Sequence, residues 1–361
     1  MQLITAQLFD GDSLRGSTLL EIDDDGVVCR LEPTSRTPDV ALVSPGLIDL
    51  QMNGFNAVDV ATASYEDLVR LDAELLALGT TSWLGTIVTA PLDKMSTTVN
   101  NLADSLTSLV QGCIGLHIEG PFLGGAPGAH RPEWIVPVDL EWIRSLPQCV
   151  KILTLAPEQL GAVEAIRTCV SRDIVVSLGH TRASSEEFSA AVLAGASMVT
   201  HLFNGMSGVH HRHVGIATEA LISPSVAAGL IVDMVHVAPS AVTLAFAAKG
   251  ADNIVLVSDS VAWNSPWSSR RGVSVVDGAP RLADGTLAGS STPLSHCVRN
   301  AVHGCGVSLV DALKSATSTP ARVLGYPQLG KITLGEPADV VWFNEALHVS
   351  GTHRRLVFPR G

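Results

Sequence analysis

Four stretches of the chain each set one acidic or imidazole side chain at the end of an apolar run: Cys113-Ile-Gly-Leu-His-Ile-Glu119, Ile174-Val-Val-Ser-Leu-Gly-His180, Met198-Val-Thr-His201 and Ile254-Val-Leu-Val-Ser-Asp259. Near-continuous aliphatic runs read as buried parallel strands, and in a (β/α)8 barrel the reactive side chains stand at the C-terminal ends of several different strands. Equivalent ends of adjacent strands lie about 5 Å apart, so two imidazoles and one carboxylate there supply the three protein ligands of an open metal site. Glu119, His180 and His201 are the candidate ligands. Asp259 is the candidate acid–base, placed to accept a proton from water acidified by a metal. Blander readings stay open: Glu119 beside Gly120-Pro121, and Asp259 in Val257-Ser-Asp-Ser260, are also what a helix cap looks like. A lone strand-end histidine is more often structural than catalytic.

Other residues qualify by position. His117 faces the same side as Glu119 but one layer deeper, and reads as a packed histidine beneath the ligands. His236 follows Asp233-Met-Val at the expected end of the seventh strand, where it either polarises a substrate carbonyl or packs at the rim. Arg212 sits in Gly208-Val-His-His-Arg-His-Val-Gly215, a cationic, glycine-bounded loop that suits anion recognition or is simply solvated surface. The Gly124-Gly-Ala-Pro-Gly-Ala-His130 loop can form one wall of a pocket.

The elements that must hold these groups are legible as a pattern. From Val43 to about Pro320, strand-like runs alternate with Ala-rich helical stretches such as Tyr65 to Leu78 and Ser184 to Leu193. Eight strands are expected, ending near Asn53, Val88, Glu119, Ala156, His180, Leu202, Val235 and Asp259, and eight close a barrel of about 250 residues. Asn264 to Gly289 reads as a hairpin insertion over the barrel mouth. Both ends of the chain read as short strands with turn signals such as Asp25-Gly26. The expected fold is therefore α/β: a TIM-like (β/α)8 barrel over residues 45–328, with a small β-sandwich domain formed by residues 1–44 and 329–361.

Composition narrows the function class. The 361 residues are 46% hydrophobic but only 4% aromatic, as an aliphatic α/β interior requires, and the net charge of −12 argues against a nucleic-acid surface. The six cysteines form no Cys-x-x-Cys pair, which speaks against zinc-thiolate sites and disulfides and for a reducing cytoplasmic setting. No signal peptide is read at the N-terminus. The most apolar long stretch, Ala227 to Lys249, is broken by Asp233, His236 and Pro239, so no membrane span is expected.

At this point the sequence resembles the amidohydrolase superfamily, and within it the N-acetylglucosamine-6-phosphate deacetylases. Pro45-Gly-Leu-Ile-Asp-Leu-Gln-Met-Asn-Gly54, Gly79-Thr-Thr-Ser82, Leu116-His-Ile-Glu-Gly-Pro-Phe122, Gly128-Ala-His130, Thr154-Leu-Ala-Pro-Glu158, Gly179-His180, Thr200-His-Leu-Phe-Asn-Gly-Met206, His211-Arg212, Leu287-Ala-Gly-Ser-Ser291 and Pro337-Ala-Asp339 carry the likeness, in order, over most of the chain. The resemblance implies hydrolysis of the acetamide of an amino-sugar 6-phosphate. It implies one divalent ion held by Glu119, His180 and His201, zinc first and Fe2+, Mn2+ or Co2+ as alternatives, with Asp259 as acid–base and His236 on the acetamide carbonyl. It assigns Asn204, the Gly205 backbone and Arg212 of a neighbouring subunit to the phosphate, hence a homodimer, and places Ala129 and His130 on the sugar side.

Where many amidohydrolases open the first strand with His-x-His for a second metal, this chain has Gln51 and Asn53, which implies a mononuclear site. Three segments depart from the family pattern: Ser258-Asp-Ser260, where Thr-Asp-Ala is usual, Arg212-His-Val-Gly215, and Ala262-Trp-Asn-Ser-Pro-Trp267 after Asp259. The rival readings are another amidohydrolase activity, on another N-acyl sugar, an N-acyl amino acid or a cyclic amide, and a catalytically silent barrel kept as a binding protein.

Overall fold

The computed structural model of the chain describes residues 1–106 and 110–355; the expected end of the small β domain, residues 356–361, lies outside the described residues. Eight strands form one parallel sheet in sequence order: Leu47–Met52, Thr80–Val88, Cys113–Glu119, Val150–Leu155, Val175–Leu178, Met198–Val199, Ala227–Ile231 and Ile254–Val257. The eighth strand returns to the first. Asp259 N–H donates to Gln51 O at 3.0 Å and Asn53 N–H to Ser260 O at 2.9 Å, which closes the (β/α)8 barrel just above the strand ends.

Alternation along the strands sorts the barrel interior into layers. Leu84, Ile152, Met198, Ile231, Val255 and Val257 form an apolar cluster. Two residues further along their strands comes a polar layer, in which His117 Nε2 meets Thr154 Oγ1 at 2.8 Å, Thr154 meets Thr200 at 2.7 Å and Ser177 meets Thr200 at 2.6 Å. The His117 Nδ1–H must donate to the carbonyl of Leu50, 3.0 Å away, because that oxygen can only accept. Burial pushes this histidine down to about 4, so it is neutral and structural, as its depth implied. The reactive layer lies above it.

Local signals hold the outer helices. Tyr65–Ala77 starts on a capping box between Ser64 and Asp67, and Ser185–Ala194 on one between Ser184 and Glu187, ending at Gly195 in a left-handed conformation. The strands at the two chain ends pair in a separate seven-stranded sheet in which Val340–Phe343 runs antiparallel to Val40–Pro45. That sheet has its own core, including Leu8, Leu20, Val43 and Val340. Gly46 passes the chain from sheet to barrel, where a Cβ would sit 2.0 Å from Thr81 Oγ1. The segment after Asp259 contains the expected hairpin, Ser274–Val276 with Ala279–Arg281, preceded by an unforeseen helix, Pro266–Arg271. Among the described residues no helix is long and apolar enough to cross a membrane.

Candidate functional site

Glu119 is the last residue of the third strand, whereas His180, His201 and Asp259 each lie two residues beyond theirs. All three leave the strand in the left-handed region, with φ of +51°, +31° and +46°. That conformation costs a side-chain-bearing residue roughly 1 kcal/mol or more and persists only where the surroundings impose it, which is common where side chains must be aimed. Here it turns all three inward.

The ligand atoms meet. Glu119 Oε1 is 3.0 Å from His180 Nε2 and 3.0 Å from His201 Nε2, and the two imidazole nitrogens are 3.1 Å apart. The Nδ1–H of His180 donates to Ala126 O and that of His201 to Asn204 O, each at 3.1 Å. With those Nδ1 protons committed to carbonyls, neutral rings would turn both Nε2 lone pairs toward one another and toward Oε1, an arrangement that needs a cation among them, a metal ion or a proton on Nε2. Zinc bonds of 2.0–2.1 Å in a tetrahedral site put ligand atoms roughly 3.3 Å apart, so the triad fits such an ion closely. His130 reaches the same point, with Nε2 3.1 Å from His180 Nε2 and 4.0 Å from Glu119 Oε1. Glu119, His130 and His180 thus also offer ligand atoms within 4.8 Å of one another. His201 is the better third ligand because it lies closer to Glu119 and its outer nitrogen is anchored.

Electrostatics agree. Burial by itself would raise Glu119, yet its hydrogen bonds and charge contacts with His180 and His201 hold it well below the usual carboxylate range. Burial opposes charge on His201, but the Glu119 hydrogen bond and the charges of Glu119 and Asp259 push it up to about 9. The field at this point therefore favours positive charge. Asp259 is pushed up to about 7, first by burial and then by the Glu119 charge, while His201, His236 and a hydrogen bond from Asn53 pull the other way. A carboxyl in that range can take and give back a proton near neutral pH.

The first-strand amides serve the two carboxylates. Gln51 Nε2 donates to Glu119 Oε1 at 3.3 Å, and Asn53 Nδ2 to Asp259 Oδ1 at 2.7 Å. Gly205, at φ +55°, lies where a Cβ would come within 2.8 Å of His180 Nδ1, so the turn carrying Asn204 must be bare to pack against the histidine. Ala129, His130, Asn204, Gly205, His236, Asp259 and the ligand triad all line one cavity of about 240 Å³. Arg212 does not; it is exposed on the 208–215 loop, outside this cavity.

One expectation needs correction. The seventh strand ends at Ile231 and not near Val235, and His236 stands on the turn beyond it. Asp233 makes that turn: Oδ1 accepts the N–H groups of Val235 and His236 at 2.9 and 2.8 Å, and Oδ2 accepts from His236 Nδ1 at 2.7 Å. Burial raises Asp233, but its bonds to His236 prevail and hold it below the usual value. Asp59, Trp267 and Arg271, to which the sequence alone assigned no role, also line the cavity. Asp233 was findable as an Asx turn; Trp267 and Arg271 lie in a helix too short to show a period.

The sequence pattern of the Amidohydrolase family matches residues 42–355. The chain is 34% identical to an N-acetylglucosamine-6-phosphate deacetylase of Bacillus subtilis (strain 168), over 86% of this chain and 83% of the relative. It is also 34% identical to an N-acetylgalactosamine-6-phosphate deacetylase of Shewanella sp. (strain ANA-3), over 94% of this chain and 91% of the relative. Among solved structures, a mutant N-acetyl-D-glucosamine-6-phosphate deacetylase from Mycobacterium smegmatis in complex with N-acetyl-D-glucosamine-6-phosphate superposes with a TM-score of 0.89, at 29% identity and 98% coverage of both chains.

Proposed function

The chain belongs to the amidohydrolase family, and from that premise we propose that it removes acetate from the acetamide of N-acetyl-D-glucosamine 6-phosphate, leaving glucosamine 6-phosphate. The observation that carries this is the convergence of lone pairs from Glu119, His180 and His201 within 3.0–3.1 Å, beside a carboxyl held near neutrality. Those three residues would hold one divalent ion per subunit, zinc by ligand type. When bound, the ion acidifies a water and polarises a carbonyl. One ion suffices, because the N–H groups of Gln51 and Asn53 already satisfy the two carboxylates that a second cation would otherwise balance.

Asp259 takes the proton of the attacking water and returns it to the departing amine nitrogen. His236 is oriented by Asp233 at Nδ1, and its Nε2–H donates to the acetamide oxygen. Ala129 and His130 face the sugar. Asn204 and Gly205 face the phosphate, with Arg212 entering from a second copy in a homodimer, which light scattering at two chain masses would support and a fully active monomer would refute. The free cysteines suit a reducing, cytoplasmic location.

A second reading differs at one hydroxyl: relatives of equal identity carry the glucosamine and the galactosamine names. Acetate release by the zinc-loaded protein from N-acetylglucosamine 6-phosphate, its galactosamine epimer, the unphosphorylated sugars and an N-acetyl amino acid decides. The phosphorylated sugars should lead by at least about tenfold in kcat/KM, the scale of one charge-assisted phosphate contact. Preference for the amino acid, or no turnover of any, would remove this reading.

A further inference from the structure

The segment after Asp259 departs from the family pattern, and its residues build something the proposed reaction has not used. Ser265 caps the helix Pro266–Arg271, Pro266 opens it, and Gly272 ends it in a left-handed conformation. This places Trp267 and Arg271 on the cavity wall with Glu119, His130 and Asp259. The Arg271 guanidinium lies 5.5 Å from the Trp267 ring centroid and 5.7 Å from that of Trp134, and Arg131 covers Trp134 at 4.7 Å. Elsewhere, Arg15, Arg70 and Arg354 are each tied to an aspartate at 2.6 Å. Arg271 is not: among the described residues no carboxylate lies within ion-pair distance of it, and Asp59, whose charge it feels, is committed to Thr62 at 2.7 Å.

A half-buried guanidinium held between two indoles, with its fork of N–H donors unspent and facing a cavity, is organised for an anion. Burial and the neighbouring Arg131 lower its proton affinity, a strain that bound negative charge relieves.

We propose that Arg271, carried by the same chain as the reactive residues, holds the 6-phosphate of the sugar and sets the preference for phosphorylated substrates. This rests on the deacetylase reading above. It adds an arginine of the same chain to the phosphate contacts proposed above for Asn204, Gly205 and Arg212 of the neighbour.

Two readouts keep the claims apart: kcat/KM for N-acetylglucosamine with and without the 6-phosphate, and calorimetric affinity for glucosamine 6-phosphate against glucosamine. Arg271→Gln should lose about ten- to a hundredfold more on the phosphorylated members of both pairs than on the neutral members, mostly in KM. Arg271→Lys should recover part of the loss. Equal losses on phosphorylated and neutral members would make Arg271 a packing residue and overturn the proposal, as would an unchanged preference in Arg271→Gln with loss only in Arg212→Ala. If the wild type bound glucosamine 6-phosphate with an Arg271-dependent preference yet hydrolysed neither sugar, the inference would stand and the deacetylase reading would fall.

Discussion

At the scale of single residues, Asp259 is the most demanding assignment. Its carboxyl must be ionised to take a proton and protonated to give one, and burial beside Glu119 brings it to about 7, where both forms are accessible. A cation held by the triad would lower it from there, since positive charge favours the carboxylate. Because the ionised form is the base, kcat of the metal-loaded enzyme should fall as pH drops through that lowered value, giving an acid limb whose midpoint lies below about pH 7. Asp259→Asn keeps shape and the Asn53 neighbour, so it should retain fold and metal but lose roughly two to four orders of magnitude in kcat, along with the acid limb. Near-normal turnover would move the proton transfer to another group. Asp259, like His180 and His201, was legible in the sequence because a polar side chain ends an aliphatic run. Its left-handed backbone was not, because nothing in the local composition of Val257-Ser-Asp-Ser260 demands a positive φ.

At the scale of elements, the barrel is positioned by how its first and last strands join. Asp49 Oδ1 accepts the N–H groups of Gln51 and Ser258, both at 3.2 Å, linking the first strand to the segment that leads from the eighth strand to Asp259. Burial pushes this carboxyl up to about 6, against hydrogen bonds from Ser258 and Gln51. The folded protein therefore holds the Asp49 proton between about pH 4 and 6 where the unfolded chain has released it. The contribution to stability is greatest below that window and is lost as pH rises through it, by roughly 3 kcal/mol in all. Denaturant unfolding of wild type and Asp49→Asn between pH 4 and 8 should show the variant gaining on the wild type by that order as pH rises. A pH-independent difference would contradict the assignment. The strand order and most strand ends could be read from aliphatic runs, but the seventh could not: Val232-Asp-Met-Val continues the apolar look of the strand, while Asp233 has already turned the chain. The helix Pro266–Arg271 was invisible for a related reason, since six residues are too few for a helical period.

At the scale of the whole molecule, an acidic chain of net charge −12 still sets Arg271 on the wall of the cavity that holds Glu119 and Asp259, with Arg131 beside it over the same Trp134 ring. The same economy holds for the barrel, whose apolar lower layer and hydrogen-bonded middle layer leave only the upper layer for chemistry. The central claim is that this layer hydrolyses an amino-sugar acetamide with one metal ion per chain. Titrating metal-stripped protein with zinc, while recording acetate released from N-acetylglucosamine 6-phosphate, tests it most directly. Acetate release should be absent at the start, rise linearly and break at one equivalent per chain. Release that persists after the metal is removed, or a break at two equivalents, would contradict the account.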